Sequence, residues 1–373
     1  MMSVNLDAEQ FSAVEHDFMA RALELAARGA YTCAPNPQVG CVLVRDGVVI
    51  GEGWHARTGE AHAEIAALRA CNPDARGATA IVTLEPCAHH GRTGPCADAL
   101  INAGVEQVIA ATEDPDERVS GAGLRRLREA GIVVRCGLLQ REARSLNSGF
   151  FKRKATGLPA VRVKVAASVD GAIALANGLS QWITDAESRQ DVHRLRARSG
   201  AVLTGAGTVL ADNPRLTARL GDDISVKQPV PVVLDRRLRC PVDARIFARP
   251  GLFFTGPGQH FGGPSHVEAV QVQTQPKGDH ERLDLLMVLQ ELARREINDV
   301  LVEAGPCLSG AFMREGLFDE LIIYQAPKLL GDAARGMFDL GALERLQQAI
   351  ELEFLDVQRI GNGQKLVLRR KGG

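Results

Sequence analysis

Four residues in the first hundred have the types and spacing of a hydrolytic metal site. His62 and Glu64 stand two residues apart in "AHAEIAALRA", and Cys87 and Cys96 follow in "VTLEPCAHHGRTGPCADAL". A zinc site that activates water has three protein ligands, an open fourth position, and a nearby carboxylate that moves protons. The sequence therefore predicts His62, Cys87 and Cys96 as metal ligands and Glu64 as the catalytic proton carrier.

These side chains converge only if particular elements begin at them. Positions two apart lie on different faces of a regular helix, so His62 must stand at the N-terminal edge of the helix that contains Glu64. Cys96 follows Pro95 at a second predicted helix start. Exposed backbone N–H groups at such a start favour a thiolate over a thiol.

The first half of the chain alternates helical and extended patterns. "HDFMARALELAARGA" has helical spacing, and "QVGCVLVRDGVVIGEG" predicts a hairpin that turns at Asp46-Gly47. Strand and helix patterns then alternate, which predicts an α/β layer architecture whose sheet is largely parallel after the hairpin. Sites in such sheets lie at strand ends, which is where Glu85, Pro86 and Cys87 fall.

Composition limits the classes of function. The chain has 373 residues, 45% apolar content, 24% charged residues and a net charge of −1, which indicates a folded protein of about two domains. The near-zero charge and few aromatic residues argue against nucleic acid or a membrane surface as the main partner. The acidic, polar start "MMSVNLDAEQFSAVEHD" does not resemble a signal peptide, so we expect a cytoplasmic enzyme. A homo-oligomer is expected on base rates.

Eight cysteines in a chain of this length do not form the pattern of a secreted disulfide framework. Only Cys87 and Cys96 lie close together in a polar, turn-rich stretch. The surroundings of four others are small or apolar, which predicts that they pack as small hydrophobic residues: Cys41, Cys71, Cys136 and Cys307.

The second half begins after the basic, Gly/Pro-punctuated stretch "NSGFFKRKATGLPA", and we predict a domain boundary near residue 155. Strand and helix patterns alternate again, and "LEFLDVQRIGNGQKLVLRR" predicts a closing hairpin. "VLVEAGPCLSGAF" runs from a strand through Gly305 and Pro306 into a helix, whose first N–H groups could bind a pyrophosphate. A Gly-Pro turn before a helix is more often only a turn.

The pattern HxE followed by PC and a further Cys resembles the zinc-dependent nucleobase deaminases. Eight residues separate the two cysteines here, and this spacing, with "APNPQVGC" and "GEGWHARTGEAHAE", resembles the deaminase half of the bifunctional riboflavin biosynthesis proteins. "VKVAASVDGAIA" and the run from "GLSQWITDAESRQ" resemble the reductase half of the same family. The resemblance implies a cytidine-deaminase-like three-layer α/β zinc domain at 1–155 and a dihydrofolate-reductase-like α/β domain at 156–373 that uses NADPH.

The resemblance also implies residue roles. Contacts with the phosphorylated pyrimidine fall in the first half on Asn36, His55 and Arg92, with His89 and His90 lining or capping the pocket. In the second half they fall on Lys164, Ser180, Arg196, Leu216, Arg219 and Glu303. Residues that border NADPH are Ala166, Trp182, Thr208, Asp212, Gly305 and Pro306. Separately, we hypothesise that Arg236 and Arg237, directly after the strand "VPVVLD", bind the 2′-phosphate of NADPH.

The family implies two reactions. Zinc-dependent hydrolysis removes an amine from 2,5-diamino-6-(5-phosphoribosylamino)pyrimidin-4-one, and Glu64 carries a proton from water to the departing ammonia. NADPH then reduces the ribosyl side chain to ribityl, with Lys164, Asp212 or Glu303 managing the proton.

Three alternatives stay open at this stage. A nucleic-acid or other nucleobase deaminase shares the zinc pattern, and a structural zinc module would close the fourth position, for which His89 is the candidate. The third alternative is that one half is inactive, because Asp116, Ala304 and Cys307 replace the residues usual in the family. An acidic Asp116 removes the donors of an amide and adds a charge that repels phosphate.

Overall fold

The computed structural model describes residues 11–88, 94–116, 120–221, 223–277 and 280–372. The chain forms two compact units, Met1–Thr156 and Gly157–Gly373. Each unit is built around its own sheet. The two units are therefore described separately.

The first unit alternates strands and helices much as the hydrophobic periodicity predicts. Its helices are α1 Ala13–Ala27, α2 Ala63–Ala70, α3 Cys96–Asn102, α4 Ala122–Glu129, α5 Gln140–Leu146 and α6 Ser148–Thr156. Its strands are β1 Gly40–Arg45, β2 Val48–Trp54, β3 Thr79–Val82, β4 Gln107–Ala110 and β5 Val133–Cys136.

The five strands form one sheet in the order β2-β1-β3-β4-β5. The predicted hairpin of β1 and β2 is antiparallel, and β3, β4 and β5 are mutually parallel. Asp46 and Gly47 have φ of 53° and 75°, the left-handed conformations that a two-residue hairpin turn requires. The prediction of a largely parallel sheet after the hairpin is confirmed.

Helices cover both faces of this sheet. Alternate residues of β1, β3 and β4 pack on one face against Ala67, Leu100 and Leu124, which belong to α2, α3 and α4. The intervening residues of the same strands pack on the other face against Met19 of α1 and Ala143 of α5. Because successive side chains of a strand point to opposite faces of the sheet, these strands contribute to two separate cores. The predicted three-layer arrangement is confirmed.

Helix α6 occupies the stretch that sequence analysis treated as a separator between the halves. Its Phe150 and Phe151 are buried and form a small core with Leu84, near the end of β3. The basic residues of this segment make it resemble a linker in the sequence. Its apolar residues pack against Leu84, which lies far away in the sequence, so the local pattern does not indicate a packed helix. The stretch therefore belongs to the first unit as a packed helix.

The second unit contains four α-helices, two short 3-10 helices (Arg245–Ala248 and Leu346–Gln348) and thirteen strands among its described residues. The helices are α7 Ala186–Arg198, α8 Ala206–Asp212, α9 Leu285–Arg294 and α10 Pro306–Glu315. The strands are β6 Ala160–Ser168, β7 Ala172–Ala174, β8 Ala201–Gly205, β9 Val230–Leu234, β10 Gly251–Thr255, β11 Val267–Gln271, β12 Thr274–Lys277, β13 His280–Leu283, β14 Asp299–Glu303, β15 Glu320–Ala326, β16 Arg335–Gly336, β17 Leu352–Ile360 and β18 Gly363–Arg370.

Nine of these strands form one sheet in the order β11-β10-β9-β8-β14-β6-β15-β18-β17. All neighbours from β11 to β15 are parallel, whereas the closing hairpin of β17 and β18 adds two antiparallel strands. Helices α9 and α10 pack on one face, and α7 and α8 contribute to cores on the other. Within the described ranges, no helix has the length and apolarity needed to cross a membrane.

Met19 offers a test of the α1 layer. Met19→Ala removes a fully buried side chain and is expected to lower the free energy of unfolding of the first unit by about 2–5 kcal/mol. Val14→Ala on the same helix changes a side chain that is 55% exposed and should change that energy by less than about 0.5 kcal/mol. Urea-dependent hydrogen exchange of β1 peptides measures the first unit alone. Equal effects of the two substitutions would contradict this packing.

Candidate functional site

The three predicted ligand residues meet in the first unit. Nδ1 of His62 lies 3.6 Å from Sγ of Cys87 and 3.3 Å from Sγ of Cys96. The three ligand atoms lie within 4.8 Å of one another. In the described part of the chain, no other group of three or more His, Cys, Asp or Glu side chains is close enough together to hold a metal ion.

Each ligand stands at the end of an element. His62 is the N-cap residue of α2 and has an extended backbone, with φ −68° and ψ 163°. Its side chain therefore does not have to lie on a different helix face from that of Glu64, as two residues within a regular helix would. Cys96 is the first residue of α3, and Cys87 follows the carboxyl end of β3. The backbone N–H of Ala97 donates to the carbonyl oxygen of Cys87 at 3.1 Å, which ties the last two segments together.

The donor set fits a zinc ion. Two sulfurs and one imidazole nitrogen are ligands that zinc prefers, at bond lengths of about 2.0–2.3 Å. Tetrahedral coordination at such lengths separates ligand atoms by roughly 3.5 Å, close to the two separations from His62. The residues present therefore fit a zinc ion.

Burial and shared protons determine the ionisation of this cluster. The pKa of Cys87 is lowered to about 4, mainly because its sulfur accepts a hydrogen bond from the Cys96 thiol. Burial acts in the opposite direction, and the hydrogen bond with His62 lowers this pKa further. The pKa of Cys96 is raised, because it gives the hydrogen bond that Cys87 accepts. Burial and the neighbouring Cys87 thiolate raise the pKa of Glu64 to about 7. Burial thus favours the protonated form of Glu64, which makes this carboxyl group a candidate proton carrier.

Asn36 and His55 form a pair beside the ligands. The amide nitrogen of Asn36 lies 3.0 Å from Nε2 of His55, and Nδ1 of His55 lies 3.0 Å from the carbonyl oxygen of Ala61. The His55 ring packs edge-on against the His62 ring, with centroids 5.5 Å apart. Burial lowers the pKa of His55, which favours a neutral ring with Nδ1–H as donor. The two predicted substrate contacts therefore lie next to the metal-ligand cluster.

Three residues that the sequence predicts near the substrate, Arg92, His89 and His90, lie outside the described residues. Asn147, which sequence analysis did not select, accepts a hydrogen bond from the backbone N–H of Gln38 at 2.7 Å and donates to its carbonyl oxygen at 2.9 Å. Nothing in the local pattern indicates this contact, because 109 residues separate the partners.

The second unit brings together three predicted residues around a buried carboxylate. Arg196 donates to both oxygens of Glu303, at 2.6 and 3.0 Å, and Nζ of Lys164 lies 3.7 Å from the same carboxylate. Parallel register places Lys164 of β6 directly beside Glu303 of β14. Burial would raise the pKa of Glu303, but the charges of Arg196 and Lys164 lower it to about 2. One carboxylate and two cations leave this cluster with a net positive charge.

Arg219 joins the cluster through a neighbouring residue. It donates to the Thr217 hydroxyl at 3.0 Å, while Arg196 donates to the Thr217 carbonyl oxygen at 3.2 Å. Arg219 also lies 2.9 Å from Nε2 of His193. Leu216, next to Thr217, is buried with φ 49°. His193 was not predicted, although its position three residues before Arg196 on α7 was a usable signal.

Two helix starts open at the same edge of the large sheet. Gly305 is the N-cap residue of α10 and Pro306 begins that helix, after β14. Gly205 ends β8 and is the N-cap residue of α8. The Thr204 hydroxyl donates to the Glu303 carbonyl oxygen at 2.7 Å, which joins the two strand ends. The two helix starts therefore lie at neighbouring strand ends, where the sequence predicts the pyrophosphate.

The remaining predicted residues lie on elements around this edge. Trp182 is 64% exposed, and the Arg189 guanidinium stacks 4.6 Å from its ring centroid. Asp212, at the end of α8, is hydrogen-bonded to Gln181, the neighbour of Trp182. Others are Thr208 on α8, Ala166 on β6 and the partly buried Ser180 in the loop before α7.

Tyr324 is a buried residue that sequence analysis did not select. Its hydroxyl donates to Asp191 at 2.6 Å, and Lys365 pairs with the same carboxylate at 2.8 Å. The Lys164 ammonium lies 5.9 Å from the Tyr324 ring centroid. The sequence contains only two tyrosines, and Tyr324 is the one that lies within a predicted strand. Nothing else in the sequence singles it out.

The two arginines after β9 differ from each other. Arg236 forms an ion pair with Glu281 at 3.4 Å, whereas Arg237 is exposed. Strand β9 neighbours β8, so both residues stand beside the edge from which α8 begins.

The expectation of packing for Cys307 is wrong. This residue is exposed on the first turn of α10, where the next residue, Leu308, packs against the core instead. Cys41 is buried, and Cys71 and Cys136 are partly buried.

Comparison with known proteins identifies both units. The model of the cytidine and deoxycytidylate deaminase zinc-binding region matches residues 12–112, which include Glu64 and all three ligand candidates. The model of the RibD C-terminal domain matches residues 159–366. The expected succession of a cytidine-deaminase-like and a dihydrofolate-reductase-like domain is confirmed.

Full-length relatives align across both units. The chain is 47% identical to the riboflavin biosynthesis protein RibD of Escherichia coli K12, over 92% of this chain and 96% of that protein. It superposes on the RibD structure of Acinetobacter baumannii with a TM-score of 0.88 and 44% identity, over 96% of this chain and 99% of the other.

A Thermotoga maritima structure provides a third comparison. That protein is a diaminohydroxyphosphoribosylaminopyrimidine deaminase/5-amino-6-(5-phosphoribosylamino)uracil reductase, with a TM-score of 0.85 and 36% identity over 96% of this chain and 99% of its own. Alignment over both halves disfavours a nucleic-acid deaminase with an inactive second half. The chain belongs to the RibD family of bifunctional riboflavin biosynthesis proteins.

Proposed function

We propose that domain 1–155 deaminates 2,5-diamino-6-(5-phosphoribosylamino)pyrimidin-4-one and that domain 156–373 reduces the ribosyl group of the product to ribityl with NADPH. The observation that carries the first half of this proposal is the convergence of His62, Cys87 and Cys96 around one point. The buried Glu64 lies beside them with a pKa near neutrality.

In the first reaction, the chain's own groups would hold the pyrimidine and move protons. His62, Cys87 and Cys96 would bind zinc, which supplies the Lewis acidity that makes water a nucleophile at neutral pH. Glu64 would take a proton from the attacking water and deliver it to the departing amine. Asn36 and His55 would orient the pyrimidine beside this carboxyl group, and Arg92 would bind the phosphate.

In the second reaction, the positive cluster would bind the sugar phosphate. Arg196 and Arg219 suit a phosphate because guanidinium groups form paired hydrogen bonds with it. Ser180 and Leu216 would border the sugar. NADPH, which supplies hydride to the anomeric carbon, would lie along Ala166, Trp182, Thr208 and Asp212, with its pyrophosphate at Gly305 and Pro306.

We assign the proton in this reduction to Lys164. Its pKa is lowered, mainly by burial, which makes the ammonium a better donor. Glu303, with a pKa of about 2, stays ionised and instead orients Arg196 and Lys164.

We further propose that the chain acts in the cytoplasm as a homo-oligomer. Thiolate ligands need a reducing compartment to stay available to a metal. Strand β17 ends the large sheet and exposes Phe354, Leu355 and Val357, which are 64%, 46% and 54% exposed. An exposed apolar edge strand of this kind is suited to pairing with another copy.

Separate assays of the two reactions test the proposal directly. Purified zinc-replete protein should release ammonia from the diaminopyrimidinone substrate and then oxidise NADPH. Chelation of the metal, or Glu64→Gln, should abolish ammonia release, because water loses its activator or its proton acceptor. Both should leave the reduction of supplied aminouracil phosphate within about twofold of wild type.

The control for Glu64→Gln is Glu129→Gln, an exposed carboxylate at the end of α4. It should retain both reactions. Loss of both reactions in folded Glu64→Gln protein would contradict two independent sites.

Acid sensitivity of the second unit tests the Glu303 cluster. A glutamate with a folded pKa of about 2 is stabilising when ionised. This contribution is complete above its unfolded pKa of about 4.3 and is lost as pH falls through about 2. Glu303→Gln should therefore lower the unfolding free energy at neutral pH and flatten its dependence on pH in that window. Glu351→Gln, with a side chain 71% exposed, should leave the pH dependence unchanged.

Cofactor preference tests Arg236 and Arg237. Replacing both with glutamine should raise the KM for NADPH about tenfold or more, because each lost charge-assisted hydrogen bond costs about 1.5–3 kcal/mol. The KM for NADH should stay within about twofold. Arg369→Gln, on β18 and 51% exposed, is the control. An unchanged NADPH-to-NADH ratio would remove these arginines from the site.

A further inference from the structure

A largely buried ion pair lies near the proposed deaminase site. Asp116 lies in the loop after β4. Its Oδ2 is 2.6 Å from Nζ of Lys154 on α6. The two side chains are only 14% and 19% exposed, so both charges are largely removed from water.

Hydrogen bonds connect the loop that carries Asp116 to the segment 85–87, which contains one of the proposed metal ligands. The Asp116 N–H donates to the Asp114 carboxylate at 2.8 Å, and the Asp114 N–H donates to Oε2 of Glu85 at 3.1 Å. The Glu85 N–H in turn donates to the Thr112 carbonyl oxygen at 2.9 Å. Glu85 is 4% exposed and stands two residues before Cys87. The loop and the ligand segment are therefore held by one set of hydrogen bonds.

Glu85 also fixes the start of α4 against the same segment. Its carboxylate accepts hydrogen bonds from the N–H groups of Gly121, Gly123 and Leu124, at 2.9, 2.8 and 3.3 Å. A Cβ on Gly123 would lie 1.8 Å from the Pro86 carbonyl oxygen, so the backbones touch. A shift of the Asp116 loop would therefore reach Glu85, Pro86 and Cys87.

We propose that the Asp116–Lys154 ion pair positions the Cys87 segment of the deaminase site, with Lys154 balancing the charge of Asp116. The proposal rests on the metal-dependent deaminase function proposed above. A buried pair tolerates replacement of both charges better than loss of one, because loss of one removes a counter-ion from a charge that stays largely out of water. The pair should therefore act as a unit: either substitution alone disturbs the site, and the two together restore it.

The test compares Asp116→Asn, Lys154→Met and the double variant in the full-length protein. Each single variant should weaken zinc affinity and lower kcat/KM of ammonia release about tenfold, the scale seen when residues that orient metal ligands are changed. The double variant and Lys154→Arg should lie within about threefold of wild type. Zinc affinity is measured by competition with a chromophoric chelator, and reduction of supplied aminouracil phosphate serves as the internal reference in each preparation.

Arg45→Met is the matched control, since it removes an ion pair of the same unit whose acidic partner is 62% exposed. It should leave zinc affinity within about twofold. Hydrogen exchange across α1 and β1 gives the folded fraction of the first unit. Losses that merely follow that fraction, single variants within twofold of wild type, or a double variant no better than the worse single would each overturn the positioning role. Absence of ammonia release by the zinc-replete wild type would instead overturn the proposed function.

Discussion

The carboxyl ends of parallel strands lie at one edge of a sheet, and both candidate sites of this chain depend on that constraint. In the first unit, Cys87 follows β3 and the Asp116 loop follows β4, its parallel neighbour. In the second, Glu303 ends β14 between β8 and β6. Because each strand is followed by a loop or a helix start, backbone N–H groups and polar side chains collect where the chain must turn.

The two sites use buried charge differently. The first combines two thiols, an imidazole and the buried Glu64, a set of groups that suits a metal cation. The second holds Glu303 with Arg196 and Lys164, so a positive charge remains for an anionic ligand. Burial strengthens both effects, since charges removed from water interact more strongly. A metal ion and a phosphate are the partners that these two charge balances favour.

Charge compensation also bears on the acidic residue at position 116. An acidic residue at position 116 looked unfavourable in the sequence, because it adds a negative charge near a phosphorylated substrate. Lys154 lies within ion-pair distance of it. The sequence does not indicate this partner, because Lys154 lies in the stretch that it predicts as a separator, and the two positions are 38 residues apart.

The sequence by itself determined the alternation of strands and helices up to β5, the parallel sheet after the opening hairpin, and the metal-ligand candidates His62, Cys87 and Cys96. These depend on local signals: hydrophobic period, turn residues and motif spacing. Only the tertiary structure decided that Asn147 clamps Gln38, that Lys154 pairs with Asp116, and that Tyr324 lies beneath Lys164. The physical reason is that such contacts join residues far apart in the chain, and their geometry is set by which strands pair and which helix faces pack.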